Sequence, residues 1–191
     1  MTLRKNYCFV SGSRADYGIL SGLMKKFNND KYSNFFLVIT GMHLLKDFGS
    51  TLKEINEDKL PISKKIYFKN YKDDRLKIIS LFSKSIESFS KYFKSIKPDL
   101  IIVLGDRYEI FSAVLAASFL KIPIAHFHGG EITQGAIDEG IRHSITKLSH
   151  LHFCANIFYK KNIIQLGENK KNVHNIGAIG LDNIKINKLL T

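Results

Sequence analysis

The sequence predicts an α/β domain, a Rossmann-like parallel sheet with helices on both faces, and three observations carry that prediction. Short, wholly apolar runs alternate with amphipathic stretches from one end of the chain to the other. The runs are near-continuous in apolar character, the pattern of strands buried on both faces. Glycines and ionisable residues gather just after them, at the edge where open α/β sheets bind ligands. Strand, helix, strand in strict alternation implies right-handed crossovers.

Each element follows from its own residues. Tyr7-Cys8-Phe9-Val10 is a short first strand, and the stretch after it places Leu20, Leu23, Met24 and Phe27 on one helical stripe that faces the core. Residues 35–40 form a second strand, followed by Gly41-Met42-His43 and a helix reaching toward Asn56. Residues 62–68 read as a third, less buried strand. A long amphipathic helix lies between Asp73 and Lys97, with Leu76, Ile79, Leu81, Phe82, Ile86, Phe89, Tyr92, Phe93 and Ile96 as its apolar residues, and Pro98 ends it. Residues 100–104 and 122–125 are the next two strands. Beyond a helix carrying Asp138, Glu139, Arg142 and His143 come a strand at 151–154, a helix at 157–166 and a last strand at 173–176. Asp182 is a good N-cap for a helix beginning near Asn183.

Composition narrows the function. An apolar content of 45% and a charged content of 24% are ordinary for a globular chain of 191 residues. The net charge of +12 is mostly lysine spread along helix faces, so it does not mark a nucleic-acid surface. Arginine is more telling: of Arg4, Arg14, Arg75, Arg107 and Arg142, three fall in strand-end loops, where a planar fork suits phosphate or carboxylate. No apolar run approaches the roughly 18 residues of a membrane span. The first six residues lead straight into a strand with no apolar leader, which predicts a cytoplasmic protein. Cys8 and Cys154, both in apolar strands, read as small buried side chains.

The ionisable clusters suit proton transfer. Asp106 follows a buried strand directly, and Glu131 and Asp138 add carboxylates in the next loop and helix. His126, His128 and His143 add groups that titrate near neutrality. Acids on opposite sides of a small ligand can remove one proton and deliver another. Capping and ion pairing with Arg107 and Arg142 explain the same acids equally well, and spacing alone does not choose. His43 has the same ambiguity between ligand contact and a structural hydrogen bond. His126-x-His128 with Glu131 and His143 offers enough donors for zinc or manganese, since alternate strand residues can converge, but no closed ligand set accompanies them. The first loop lacks both the dinucleotide fingerprint and the P-loop lysine, so a nicotinamide or Walker-type nucleotide site is rejected. Ser13 lacks a nucleophile elbow, and Cys154 is inside a strand.

Four motifs in order resemble one family. Ser11-Gly12-Ser13-Arg14-Ala15-Asp16-Tyr17-Gly18, Gly105-Asp106-Arg107-Tyr108-Glu109, His126-Phe127-His128-Gly129-Gly130-Glu131, and Asp138-Glu139-x-x-Arg142-His143-Ser144-Ile145-Thr146 resemble the hydrolysing UDP-N-acetylglucosamine 2-epimerases of sialic-acid and legionaminic-acid biosynthesis. The resemblance implies the N-terminal half of a GT-B-like fold, with residues 1–180 as one domain and 181–191 as the start of a linker toward a second. It implies removal of the sugar C2 proton, loss of UDP and hydration of a glycal, with no cofactor. It implies Asp106, Glu131, Asp138 and His128 as catalytic residues, and Arg14, Asp16, Arg107, His126, Gly130, Arg142 and His143 as substrate-binding ones. It also implies a UDP-sugar partner and a homo-oligomer. Relatives often carry His-x-Glu before the glycines, where this chain has His128, so the leaving-group acid stays open between a histidine and Glu131. Without a second domain the chain is expected to fold but to turn over poorly. A non-catalytic nucleotide-sugar-binding half and an epimerase for a UDP-2,4-diacetamido-trideoxy sugar are the alternatives.

Overall fold

The computed structural model describes residues 3–45, 51–68, 74–133 and 137–181. Seven parallel strands form one sheet: β1 (Lys5–Ser11), β2 (Ser33–Ile39), β3 (Lys64–Lys65), β4 (Leu100–Leu104), β5 (Ile124–Phe127), β6 (Leu151–Cys154) and β7 (Val173–Asn175). Among the described residues six α-helices connect them: α1 (Arg14–Asn29), α2 (Thr51–Glu57), α3 (Arg75–Ile96), α4 (Tyr108–Phe119), α5 (Ile137–Leu148) and α6 (Ile157–Gln165). The order across the sheet is β3-β2-β1-β4-β5-β6-β7. The chain therefore winds outward in one direction from β1 and in the other from β4. Where two such windings part, the loops at the carboxyl ends splay and leave a crevice. Here that crevice lies between the loops after β1 and β4.

Two apolar layers explain why these strands are apolar throughout. On one face Cys8, Val10, Val38, Ile101, Val103 and Ile124 pack with Phe89 and Phe93 of α3, with α4 and with Ile145 of α5. On the other, Phe9, Leu37, Ile39 and Ile102 pack with Tyr17, Leu20 and Met24 of α1 and Ile55 of α2. Successive residues of one strand thus serve opposite layers, and neither side of β1 or β4 can be polar. Phe89 and Phe93 are fully buried, and truncating a ring of that kind costs about 3–5 kcal/mol. Both cysteines are buried and free, and burial pushes their thiols up.

Three expectations change. The third strand shrinks to Lys64–Lys65, because only two residues of 62–68 pair with β2 and the chain leaves the sheet at its edge. In α3 the predicted stripe reaches the core only from its middle onward. Leu76 and Ile79 are 78% and 62% exposed, since 22 helical residues at about 1.5 Å each overrun strands of five to seven residues. The last strand ends at Asn175. Asp182 and the helix expected from Asn183 lie outside the described residues, as does most of the 181–191 linker.

Candidate active site

The loop after β1 spends its polar groups on backbone. Ser13 caps α1, accepting from the Asp16 N–H at 3.3 Å, while the Asp16 carboxylate accepts from the N–H groups of Gly12 and Ser13 at 3.0 Å each. This capping box leaves Asp16, read from the sequence as substrate-binding, buried and turned toward main chain. Burial raises its pKa against the lowering effect of those bonds. Arg14, also expected to line the cleft, is exposed and pairs with Glu54 of α2 at 2.7 Å. His43 takes the structural reading: it is buried with Nε2 2.9 Å from the Ser11 hydroxyl, and burial lowers its pKa to about 4.

The loop after β4 carries Asp106 and Arg107. Arg107 donates from Nε to Glu109 at 2.5 Å, and Glu109 is 1% exposed. The sequence alone assigns Glu109 no role. Its signal was indirect: Gly41, at φ +56, has no room for a side chain, because a Cβ there would stand 2.5 Å from the Glu109 carboxylate. Arg107 is thereby held at the crevice by a buried acid.

The loop after β5 and the helix α5 complete the cluster. His128, at φ +62, places Nδ1 2.7 Å from Glu131. Gly130 must be glycine, since its φ is +76 and any Cβ would strike the Tyr159 carbonyl. Arg142, 8% exposed, extends from α5 to both acids: Nη2 pairs with Asp106 Oδ2, and Nη1 lies 3.5 Å from Glu131 Oε2. One guanidinium therefore sits between two carboxylates, and the second of these carries a histidine. Such a shared cation offsets the cost of bringing two acids together.

Asp138 and His143 stand on α5 beside this chain of contacts. Half-buried Asp138 takes part in none of these bonds. Tyr108 at the mouth of the β4 loop has a raised pKa, from burial first, then Glu109, with the Asp138 charge adding to it. His143 lies 3.6 Å from Glu139 one turn away. His126 is the clearest correction: it is fully buried in β5, beneath the site, and does not reach the cleft. Strand alternation does not carry on to His128, because β5 ends at Phe127 and the backbone turns left-handed at the next residue. Among the described residues no group of three or more His, Cys, Asp or Glu side chains is placed to hold a metal ion.

Several polar atoms of the cluster have no hydrogen-bond partner among the described residues: Arg142 Nε, His128 Nε2, His143 Nδ1 and Glu109 Oε2, all buried. Leaving such groups unsatisfied is costly, on the order of 1–3 kcal/mol each, and a bound polar ligand would relieve it. The arrangement sets one carboxylate, Asp106, against a guanidinium and another, Glu131, against an imidazole, groups of the kinds that exchange protons with a ligand.

Comparisons with known proteins bear on the family and the fold. The family described as UDP-N-acetylglucosamine 2-epimerase matches residues 25–190. The chain is 42% identical to GDP/UDP-N,N'-diacetylbacillosamine 2-epimerase (hydrolyzing) of Campylobacter jejuni, covering 95% of this chain and 47% of that protein. It is 36% identical to UDP-N,N'-diacetylbacillosamine 2-epimerase (hydrolyzing) of Legionella pneumophila, over 92% of this chain and 46% of the relative. The chain thus spans about half the length of the curated relatives it matches. The crystal structure of UDP-GlcNAc 2-epimerase from Neisseria meningitidis bound to UDP-GlcNAc superposes with a TM-score of 0.82 at 21% identity, over 95% of this chain and 49% of that one. That likeness is one of fold, the Rossmann-like half of a GT-B-like architecture. By the family match along most of its length and by these relatives, the chain belongs to the UDP-N-acetylglucosamine 2-epimerase family.

Proposed function

We propose that this chain is the acid/base half of a hydrolysing UDP-N-acetylglucosamine 2-epimerase, converting UDP-N-acetylglucosamine and water to N-acetylmannosamine and UDP. In this reading a carboxylate takes the proton from the sugar C2, the C1–oxygen bond to UDP breaks, and a C1–C2 double bond forms. Water then adds across that bond, its hydroxyl to C1 and a proton to C2 on the opposite face. Asp106 is the base, kept ionised by Arg142. The Glu131–His128 pair supplies the proton to the leaving phosphate oxygen, and Asp138 serves the return of the proton to C2. Arg107 and Arg14, at the two sides of the crevice, suit the diphosphate. The observation that carries the reading is the single guanidinium shared by Asp106 and Glu131.

The names of the two diacetylbacillosamine relatives favour a second substrate, a UDP-2,4-diacetamido-trideoxy sugar. The same chemistry at C1 and C2 would apply. As part of the same proposal the protein works in the cytoplasm and self-associates; in support of the first, no helix among the described residues is long and apolar enough to cross a membrane.

UDP release decides between these readings, assayed with both sugars for the chain alone and for the chain supplemented with the second half of the Campylobacter relative. Turnover is expected to be weak alone and to rise on supplementation, because positioning of the nucleotide is otherwise lost. Asp106→Asn should then lower it by about 100-fold to 10,000-fold, the range of general acid–base catalysis. Unchanged turnover in that variant would make Asp106 a helix-terminal cap and the proposal wrong.

A further inference from the structure

The buried histidine of β5 reaches the cluster from below. His126 lies in register with Val103 of β4 and His152 of β6 and has no exposed surface. Its Nε2 is 2.9 Å from the Gly105 carbonyl oxygen and its Nδ1 is 3.2 Å from the Thr146 hydroxyl. Gly105, at φ +85, is the residue that turns the chain out of β4 and into Asp106. Thr146 stands one turn after Arg142 on α5, with its hydroxyl 3.0 Å from the Arg142 carbonyl. The two anchors of His126 are therefore the neighbours of the two partners in the Asp106–Arg142 pair.

The protonation of the ring follows from the chemistry of these neighbours. A carbonyl oxygen only accepts, so Nε2 must carry the hydrogen. Burial lowers the His126 pKa to about 3, against the raising effect of the Gly105 bond. His152, His128 and His143, which face the ring from β6, the β5 loop and α5, push it the same way. At neutral pH Nδ1 then has a lone pair. The Thr146 hydroxyl has one hydrogen and two acceptors in reach, the Arg142 carbonyl at 3.0 Å and Nδ1 at 3.2 Å. The hydroxyl hydrogen is shared between them, since a carbonyl that takes the helical N–H keeps a second lone pair. Gly129 closes over this contact, since a Cβ there would stand 3.0 Å from the Thr146 oxygen and 3.1 Å from Nδ1.

We infer that His126 is a positioning residue: a neutral imidazole with its hydrogen on Nε2, which ties the β4 turn to α5 and so sets the approach of Asp106 to Arg142. Its consequence for turnover rests on the epimerase reading; its tautomer and its hold on Arg142 do not.

Long-range proton–nitrogen correlation spectra of the 191-residue chain labelled in histidine and arginine test it. The resonance lost in His126→Gln should show the Nε2–H tautomer, unchanged from about pH 5 to about pH 8, the range in which an ordinary histidine titrates. A glutamine amide can donate to the Gly105 oxygen and accept from Thr146, whereas leucine can do neither. His126→Leu is expected to speed exchange of the Arg142 side-chain hydrogens with water by about tenfold or more, while His126→Gln leaves them within about twofold. Thr146→Val, a milder change, should show part of the leucine effect. In the supplemented UDP-release assay, leucine should lower kcat by about tenfold with little change in KM, and glutamine should restore most of it, as expected for lost alignment. A ring protonated on Nδ1 or titrating in that range, or Leu and Gln variants that behave alike toward Arg142, would overturn the inference. No turnover by any form, the unsubstituted chain included, would refute the epimerase reading and leave the spectra to decide the role of His126.

Discussion

The two rims that meet at the switch point are built from the same kinds of residue and differ in what those residues hold. After β1, Ser13 and Asp16 satisfy main-chain N–H groups, and Arg14 pairs with Glu54 in the open, at 74% and 38% side-chain exposure. After β4 and β5, Asp106, Glu131 and His128 are joined by side chains alone, through a guanidinium that is 10% exposed. Among the described residues, atoms are left without partners on this second rim, Arg142 Nε and His128 Nε2 included. An acid consumed by its own helix terminus has nothing to give a substrate. An acid held by a neighbour's charge, with donors unused beside it, does. On the function proposed above, the contrast assigns the chemistry to β4 and β5 and the β1 loop to scaffold and diphosphate flank.

The sharpest way to break the comparison is to remove one arginine from each rim. Arg142→Leu would leave Asp106 and Glu131 facing each other without a counter-charge in a largely buried setting. Breaking a buried pair from one side costs about 3–5 kcal/mol, and a loss near the lower end is expected since both acids keep some solvent. Arg14→Leu removes an exposed pair, worth less than about 1 kcal/mol. Urea unfolding of the two variants measures the difference. Equal losses would show that the rims are not distinct.

Acid separates the layers next. His43 and His126 have pKa values lowered from 6.5 to about 4 and about 3, and that of His152 is also lowered, in each case chiefly by burial. The folded chain holds these rings neutral, while the unfolded chain protonates them below 6.5. Their stabilisation is therefore full above pH 6.5 and is lost as pH falls toward the folded values. Each histidine can contribute up to about 1.4 kcal/mol per pH unit in that window. The urea midpoint should fall steadily between pH 6.5 and 4, and His43→Gln should make the decline shallower. A flat profile would mean that these rings are hydrated.

The sequence shows the frame clearly and the site only in part, for a physical reason. Strands such as residues 100–104 are legible because burial on both faces forces every position to be apolar, and α1 because its stripe repeats with the helical period. The positions of Asp106 and Glu131 after adjacent strands, and of Arg142 on the helix that follows, come from that frame. What an acid bonds to does not. Asp16 and Asp106 look alike in sequence, each in a strand-end loop next to an arginine-bearing turn, and only folding shows one turned to amides and the other to Arg142. His126 was misplaced for a similar reason: strand alternation gives its face, but whether that face is cleft or interior depends on α5 packing over it. Glu109 gave no direct sign, because the space it fills is made by a glycine sixty-eight residues earlier on another strand end.

The smallest expected effect probes the β1 rim from inside. Asp16→Ala removes the acceptor for two N–H groups and half of the capping box, a loss of about 1 kcal/mol. Asp16→Asn keeps an acceptor and should cost less. The charge change carries its own signature: the folded pKa of Asp16 is raised above 3.8, so its contribution is complete below that value and declines as pH rises through the folded pKa. Asn has no charge to bury, and that decline should vanish from its stability profile. UDP-sugar affinity, followed by calorimetry, should stay within about twofold in the Asn variant, since its carboxylate is committed to backbone. If affinity collapsed while stability held, Asp16 would be a ligand group in spite of its amide bonds, and the division between a structural and a chemical rim would have to be redrawn through α1.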